Sequence, residues 1–327
     1  MSEKFRFLSG MRPTGFIHLK HLMVIDQWLG LEKRYDCFFG IYNSLALTTA
    51  KADNLIQDTL TIFKSWLCAG LNYEQSTIFA QSMVPEHAQM FQMLLQATPV
   101  HILQKAIVSK RKKQDKEIIN AGILSYPLQE LADVLIFEAP FVTSSIPGNV
   151  ELTHKIIRNL CHNLKLDVSE FIFPQVIIPP VPPIPGFDGK RTSSQRQNFI
   201  CPTDGLELIR KKVFKMPTDD TRLGLNYPGN PKKCCVYAYY VLPKIKDMAS
   251  QEKIHQQCQA GTLSCTQCKE ILTTSLWQYF TPYREKEREF KLTEKDLRQM
   301  LRESSARASN HAKEFLKKYQ ELFQMAI

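Results

Sequence analysis

The chain has 327 residues, of which 44% are hydrophobic and 23% are charged, and its formal net charge at pH 7 is +10. This length allows two domains with a large core, and the composition is that of an ordinary soluble protein. The charged start of the chain lacks the apolar core of a signal peptide, and no stretch approaches about 18 uninterrupted apolar residues. We therefore expect a cytoplasmic protein and exclude a secreted or membrane-bound one.

In the first part of the chain, short β-rich runs alternate with helical patterns. The runs at 5–9 and 35–42 alternate with helical patterns at 53–69 and 85–96. This alternation predicts βαβ units around a parallel sheet, which is an α/β fold.

A proline-rich stretch divides the chain. Prolines dominate residues 179–185, and such a segment cannot continue a helix or a central strand, so we expect an extended connector. After a loop that ends near residue 203, helical patterns dominate. Thr293, with Asp296 three positions later, is typical of an N-cap, and apolar residues follow at helical spacing from 297 to 323. We predict an α/β domain at 1–185, a linker and loop at 186–202, and a helical domain at 203–327.

The positive charge is densest in one short segment. That segment contains Lys110, Arg111, Lys112, Lys113 and Lys116. A positive surplus favours a polyanionic partner, RNA or DNA before an acidic protein, while a solvated charged face is the alternative.

The nine cysteines include one group with a recognisable spacing. Without a secretory signal, thiols, a metal or a cluster are expected in preference to disulfides. Cys235, Cys258, Cys265 and Cys268 are spaced Cys-x22-Cys-x6-Cys-x2-Cys, and the neighbouring Cys234 complicates the assignment. Four thiolates suit tetrahedral zinc or an iron–sulfur cluster, which the spacing does not separate, and free thiols are the third interpretation.

The first strand and helix predict a phosphate site. We expect a strand at 5–9, a loop at 10–16 and a helix from His18, an arrangement that presents backbone N–H groups to a phosphate.

The residues at this turn, SGMRPTGFIHLKH at positions 9–21, resemble the opening of a class I aminoacyl-tRNA synthetase of the tryptophanyl type. Further segments resemble that family in the same order, at 35–39, 46–49, 81–87, 126–133, 185–190, 228–231 and 282–285. The resemblance implies a homodimer with a Rossmann-type catalytic domain and a helical anticodon-binding domain. It also implies tRNA and tryptophan as partners, with ATP and Mg as substrates if the chain is active. A subset of the family holds a [4Fe-4S] cluster at this cysteine spacing, which favours the cluster over zinc.

The resemblance also places the nucleotide site, in a form that departs from the family. Its positions here are Arg12, Thr14, Gly15, His18, Lys20 and His21. Lys20 stands where the family has a glycine that lets adenine lie against the backbone, so a long side chain fills that space. The second signature, a mobile lysine-rich loop with catalytic residues, corresponds to Lys190, Arg191, Ser193 and Ser194. Ser194 replaces its second lysine.

The amino-acid pocket implied by the resemblance contains Leu8, Tyr126, Glu130 and Asp133. Tyr126, Glu130 and Asp133 share one face of a helix that we expect to start after Pro127. In the family the residue matched by Asp133 accepts the indole N–H, whereas Glu130 replaces Met or Gln. Glu130 either repels Asp133 in the pocket, turns to solvent or pairs with Arg12.

Two further segments of the implied pocket differ from the family. The segment at 142–152 replaces a family motif that holds the amino group, and Asn43 and Leu45 replace an Asp and a His. These changes predict a tRNA-binding homologue with weak or absent tryptophan activation. An active but divergent tryptophan-tRNA ligase, or a pocket reshaped for another ligand, are the alternatives.

Overall fold

The computed structural model of the chain describes residues 4–13, 15–48, 54–104, 120–143, 149–178, 181–193 and 196–325. The basic segment at 110–116, Thr14, Ser194 and residues 144–148 lie outside the described residues.

A five-stranded parallel sheet forms the centre of the first part of the chain, with the strand order β3-β2-β1-β4-β5. Its central strand pairs on one side through Phe7 with Cys37, and on the other through Phe7 with Phe141. The middle residues of the two inner strands β1 and β2 are buried, as expected where helices cover both faces of a parallel sheet. The strands are β1 (Arg6–Met11), β2 (Asp36–Ile41), β3 (Thr77–Ala80), β4 (Phe141–Thr143) and β5 (Gln175–Ile178).

Helices alternate with these strands and then dominate, which confirms the predicted α/β fold followed by a helical region. The helices of the first part are α1 (Leu19–Leu29), α2 (Asn43–Ala46), α3 (Leu55–Ala69), α4 (Pro85–Ala97), α5 (Ala121–Ile136) and α6 (Asn149–Leu164). Those of the second part are α7 (Leu206–Phe214), α8 (Cys235–Tyr240), α9 (Met248–Gln259), α10 (Cys265–Glu289) and α11 (Glu294–Leu322).

Helix α5 corrects one prediction. It begins at Ala121, and Pro127 lies inside it, so the expected start after Pro127 is wrong. The Asn120 side chain accepts a hydrogen bond from the Ile123 amide at 2.8 Å and caps the helix. A proline in the second turn removes only one main-chain donor, and the cap and the apolar face of α5 outweigh that loss.

The predicted cap of α11 is confirmed, and the helix takes a position that the sequence does not indicate. Thr293 and Asp296 bond reciprocally as a capping box. The helix then packs along β3, the edge strand, where Ser304 Oγ accepts the Ile78 amide at 3.0 Å and Ser305 Oγ accepts the Ala80 amide at 3.1 Å. The end of the predicted helical domain therefore covers the open edge of the sheet.

Across the described ranges, none of the helices is both long enough and apolar enough to cross a membrane.

Candidate functional site

The turn between β1 and α1 brings the backbone close to its neighbours. A Cβ on Gly10 would lie 2.2 Å from the Gly40 carbonyl oxygen, so only glycine fits there. Gly15 has φ +77°, and a Cβ on it would lie 2.7 Å from Asp58 Oδ1. This part of the predicted nucleotide site keeps the tight backbone path that a phosphate-binding turn needs.

Aromatic rings stack at the start of α1. The rings of His18 and His21 are 3.9 Å apart between centroids, and the ring of Phe199 also stacks on His18, at 5.1 Å. Phe16 continues the contact, 5.0 Å from Phe199. The Leu19 amide donates to the carbonyl of residue 200 at 2.9 Å, which fixes the chain carrying Phe199 against the corner. Two regions that the sequence analysis treated separately are thus in direct contact.

The electrostatics of this corner disfavour further positive charge. Burial, followed by nearby Lys20, lowers the pKa of His18 to about 4. Burial, followed by His18 and Lys20, holds the pKa of His21 well below its ordinary value, and His21 Nδ1 is buried without a hydrogen-bond partner among the described residues. Burial, followed by the nearby Arg191, lowers the pKa of Lys20. The two imidazoles are therefore neutral and lie near the cation Lys20.

The loop of the second signature is closed by one asparagine. Asn198 Nδ2 donates to Asp188 Oδ1 at 2.7 Å, and Asn198 Oδ1 accepts the Ser193 amide at 2.9 Å. Gly189 makes the turn with φ +75°. Lys190 and Arg191 are exposed on this loop, and Arg191 is the one that acts on Lys20 at the corner.

A second group of polar side chains is buried in the predicted amino-acid pocket. Asp133 is only 3% exposed. Its Oδ1 accepts from His87 Nδ1 at 2.6 Å, and its Oδ2 accepts from Gln81 Nε2 at 3.0 Å. Gln81 Nε2 also lies 3.2 Å from His87 Nε2. Gln81 and His87 begin and end the family-like segment at 81–87, but neither was predicted as a site residue.

Tyr42, which was not predicted for the pocket, lies near two of its acidic residues. Burial, followed by Asp133 and Glu130, raises the pKa of Tyr42 well above its ordinary value, so the phenol stays protonated beside two carboxylates. Leu8 is buried in the core, and Tyr126 and Glu130 are half-buried. The pairing of Glu130 with Arg12 stays a prediction.

Several cysteines of the helical region lie near one another at one corner. Burial first, and nearby Cys234, Cys258 and Cys265 among the further causes, raise the pKa of Cys268 to about 12. Cys235 is turned away, because consecutive residues at a helix start point in different directions, and its Sγ donates to the Gly186 carbonyl at 3.6 Å.

One cation, Arg222, lies beside this corner and partly offsets the effect of burial on the thiols. Arg222 Nη1 lies 3.8 Å from Cys265 Sγ, and Arg222 counteracts the rise in the pKa of Cys258 that burial causes. Position 229 must be a small residue, because a Cβ on Gly229 would lie only 2.7 Å from Cys258 Sγ. Within the described part of the chain, no three Cys, His, Asp or Glu side chains converge closely enough to hold a metal ion. Cysteine sulfur is nonetheless the donor type that both zinc and iron–sulfur clusters take.

Comparison with known proteins shows which family the chain belongs to. The sequence profile of the family described as tRNA synthetases class I (W and Y) matches residues 1–281. The Tryptophan--tRNA ligase of Aquifex aeolicus is 29% identical over 381 aligned positions, covering 93% of this chain and 95% of that protein. That of Thermotoga maritima is 32% identical over 286 positions, covering 85% and 86%.

A solved structure shares the fold over nearly the whole chain. The tryptophanyl-tRNA synthetase from Campylobacter jejuni, complexed with ADP and tryptophan, superposes with a TM-score of 0.77 at 24% identity, over 97% of this chain and 99% of that one.

Proposed function

The chain belongs to the class I tRNA synthetases for tryptophan and tyrosine, and from this premise we propose that it is a tRNA-binding member of the tryptophanyl branch that activates tryptophan weakly or not at all. Membership in a family does not by itself transfer activity, because activity depends on the residues of the site.

The corner between β1 and α1 carries this proposal. Lys20 occupies the position of the family glycine, and its ammonium stands near Arg191. Phe199 and His18 stack beside it. A purine needs an apolar, open surface at this position, and we infer that the Lys20 stem and the neighbouring rings of His18 and Phe199 narrow it. Nucleotide binding would require these side chains to move apart first, and that reorganisation lowers affinity.

The loop of the second signature supports the same conclusion. The family places an ammonium where charge develops on the leaving pyrophosphate, and Ser194 has no charge. Losing one such preorganised donor typically costs about 3 kcal/mol, which is roughly a hundred- to a thousandfold in rate. Lys190 and Arg191 keep the loop cationic and suit contact with a phosphate backbone.

The proposed partners are tRNA and a second copy of the chain. An exposed loop in the helical region presents Leu223, Leu225 and Tyr227, at 82%, 59% and 53% exposure, before the exposed Lys232 and Lys233. An aromatic ring beside cations suits the unpaired bases of an RNA loop. The net charge of +10 favours the same class of partner.

The proposed cofactor is a [4Fe-4S] cluster, with zinc as the alternative. We assign its ligands to Cys234, Cys258, Cys265 and Cys268, since these thiols share one corner beside Arg222. When bound, such a group would tie the start of α8, the end of α9 and the start of α10 together.

A second candidate function is an active but divergent tryptophan-tRNA ligase. The observation that favours it is the hydrogen-bonded group of Asp133, His87 and Gln81, because a buried carboxylate of this kind is what an indole N–H requires.

Tryptophan-dependent exchange of pyrophosphate into ATP separates the two candidates. The assay uses anaerobically purified protein, with the Thermotoga maritima relative as the positive control. We expect exchange at least about a hundredfold slower than that of the relative, in line with the lost donor, together with measurable tRNA binding in a filter assay. Exchange within tenfold of the relative would establish the active ligase instead.

A further inference from the structure

We propose that Gln81 and His87 are positioning residues that hold the Asp133 carboxylate in a single orientation, ready to accept an N–H from an aromatic amino acid. The inference rests on the proposed function in one respect: the ligand of this pocket is taken to be a molecule with an indole-type N–H donor.

The orientation of the Gln81 amide is fixed by the backbone. Its Oε1 accepts the Leu45 amide at 3.2 Å, so its Nε2 must point the other way, toward Asp133 and His87. An amide nitrogen only donates, and both of its hydrogens find acceptors here: Asp133 Oδ2 at 3.0 Å and His87 Nε2 at 3.2 Å. Gln81 is 2% exposed, so water cannot take the place of either partner.

This amide selects the tautomer of His87. Because Nε2 of the ring accepts from Gln81, the proton of the neutral imidazole must be on Nδ1. From there it donates to Asp133 Oδ1 at 2.6 Å. The three side chains therefore form a closed ring of hydrogen bonds in which every donor faces an acceptor.

The Asp133 carboxylate keeps acceptor capacity for a ligand. Each of its oxygens can accept two hydrogen bonds, and Gln81 and His87 use one on each. Asp133 is 3% exposed, so its carboxylate has almost no contact with bulk solvent. The N–H of a ligand is the donor that would use its remaining acceptor positions. A carboxylate held at both oxygens cannot rotate away, so a donor that meets it must approach from one direction.

Helix α11 contacts the residues that precede Gln81 and His87 in the chain. Ser305 Oγ accepts the amide of Ala80, the residue before Gln81. Ser309 Oγ donates to the buried Glu86 carboxylate, the residue before His87, at 2.9 and 3.0 Å. The two serines are one helical turn apart, so one helix contacts the backbone before Gln81 and the side chain before His87.

The test combines a tautomer measurement with tryptophan binding. In the protein without ligand, ¹⁵N NMR of the histidine rings reports which nitrogen of His87 carries the proton. Equilibrium dialysis with labelled tryptophan then compares the unchanged protein with Gln81→Leu, His87→Leu and His87→Asn. The asparagine amide nitrogen takes the place of Nδ1 and can still donate to Asp133. The control is Gln75→Leu, which loses one bond to the Glu32 carbonyl at the other end of β3.

We expect the Nδ1–H tautomer in the unchanged protein, and its loss in Gln81→Leu. Gln81→Leu and His87→Leu should each weaken tryptophan binding by about tenfold or more, as for loss of a buried bond to a charged group. His87→Asn should recover most of the affinity, and Gln75→Leu should keep it. Circular dichroism and urea unfolding identify variants that merely fail to fold. Recovery of affinity in His87→Asn shows that His87 acts as a hydrogen-bond donor and does not only fill space.

Three results would overturn the inference: an Nε2–H tautomer, unchanged affinity in His87→Leu, or no tryptophan binding by the unchanged protein. Fast pyrophosphate exchange would overturn the proposed function instead and would leave this inference standing.

Discussion

The imidazole of His18 stacks on the ring of Phe199, with centroids 5.1 Å apart and planes 29° apart. His18 belongs to the first signature and Phe199 follows the second, so this contact joins the two halves of the predicted nucleotide site. It also places an apolar ring against a histidine that is held neutral. Ring packing therefore joins the two signatures at this corner, next to the cations Lys20 and Arg191.

Replacing Lys20 by glycine should improve ATP binding. The lysine stem fills the space of a purine, so Lys20→Gly is expected to lower the Kd for a non-hydrolysable ATP analogue by about tenfold, which corresponds to roughly 1.4 kcal/mol. Isothermal titration calorimetry measures this. Lys20→Met is the matched control, since it removes the charge and keeps the stem, and it should bind as poorly as the unchanged protein. Equal gains in both variants would point to charge rather than space.

Acid should destabilise the protein through His18. The unfolded chain takes up a proton near pH 6.5, whereas the folded chain resists it until about pH 4, so stability present above pH 6.5 is lost as the pH falls toward 4. Between pH 7.5 and 5 this group should contribute a loss of about 2 kcal/mol in the free energy of unfolding. Urea denaturation of His18→Gln at both pH values should show a smaller difference than the unchanged protein. Substitution of the exposed His101 by glutamine is the control and should not alter the change in unfolding free energy between the two pH values. If His18→Gln shows the same change as the unchanged protein, the prediction is contradicted.

The serine contacts of α11 should contribute to stability. Ser305→Ala leaves the Ala80 amide of the edge strand buried without its acceptor, which should cost about 1–3 kcal/mol of unfolding free energy. Asn310→Ala, at an exposed position of the same helix, is the control and should change stability by less than about 0.5 kcal/mol. Chemical denaturation followed by circular dichroism measures both. A Ser305→Ala variant as stable as the control would show that the contact contributes nothing.

Iron content should distinguish the two adjacent cysteines. Cys234→Ser should lose most of its bound iron and acid-labile sulfide after anaerobic purification, because Cys234 shares the corner with Cys258 and Cys268. Cys235→Ser should keep both, since its thiol faces the Gly186 carbonyl. If only Cys235→Ser loses iron, the ligand set is the one predicted from the cysteine spacing, with Cys235 in place of Cys234. Zinc in place of iron in all variants would favour the alternative metal.

Much of the fold was predictable because it depends on local patterns. The parallel sheet follows from alternating apolar runs and helical patterns, and the cap of α11 follows from Thr293 and Asp296. The start of α5 was misjudged because Pro127 is a strong breaker signal, whereas the cap at Asn120 is a weaker one.

The candidate site was less predictable because it depends on contacts between distant segments. Gln81 and Asp133 are far apart in sequence, and only the packing of α4 on α5 brings their segments together. The choice between Cys234 and Cys235 turns on where α8 begins, and boundaries are the least certain part of a sequence-based assignment. The stack of Phe199 on His18 has no local signal at all.

The position of α11 along β3 also limits how the chain can be divided. A fragment that stopped before residue 294 would expose the Ile78 and Ala80 amides along an unprotected strand, together with the apolar surface under the missing helix. Strands left open in this way recruit strands from other molecules, and the expected product is an aggregate rather than an isolated Rossmann module. Attempts to separate nucleotide binding from RNA binding by truncation should therefore fail, and point substitutions are the appropriate tool.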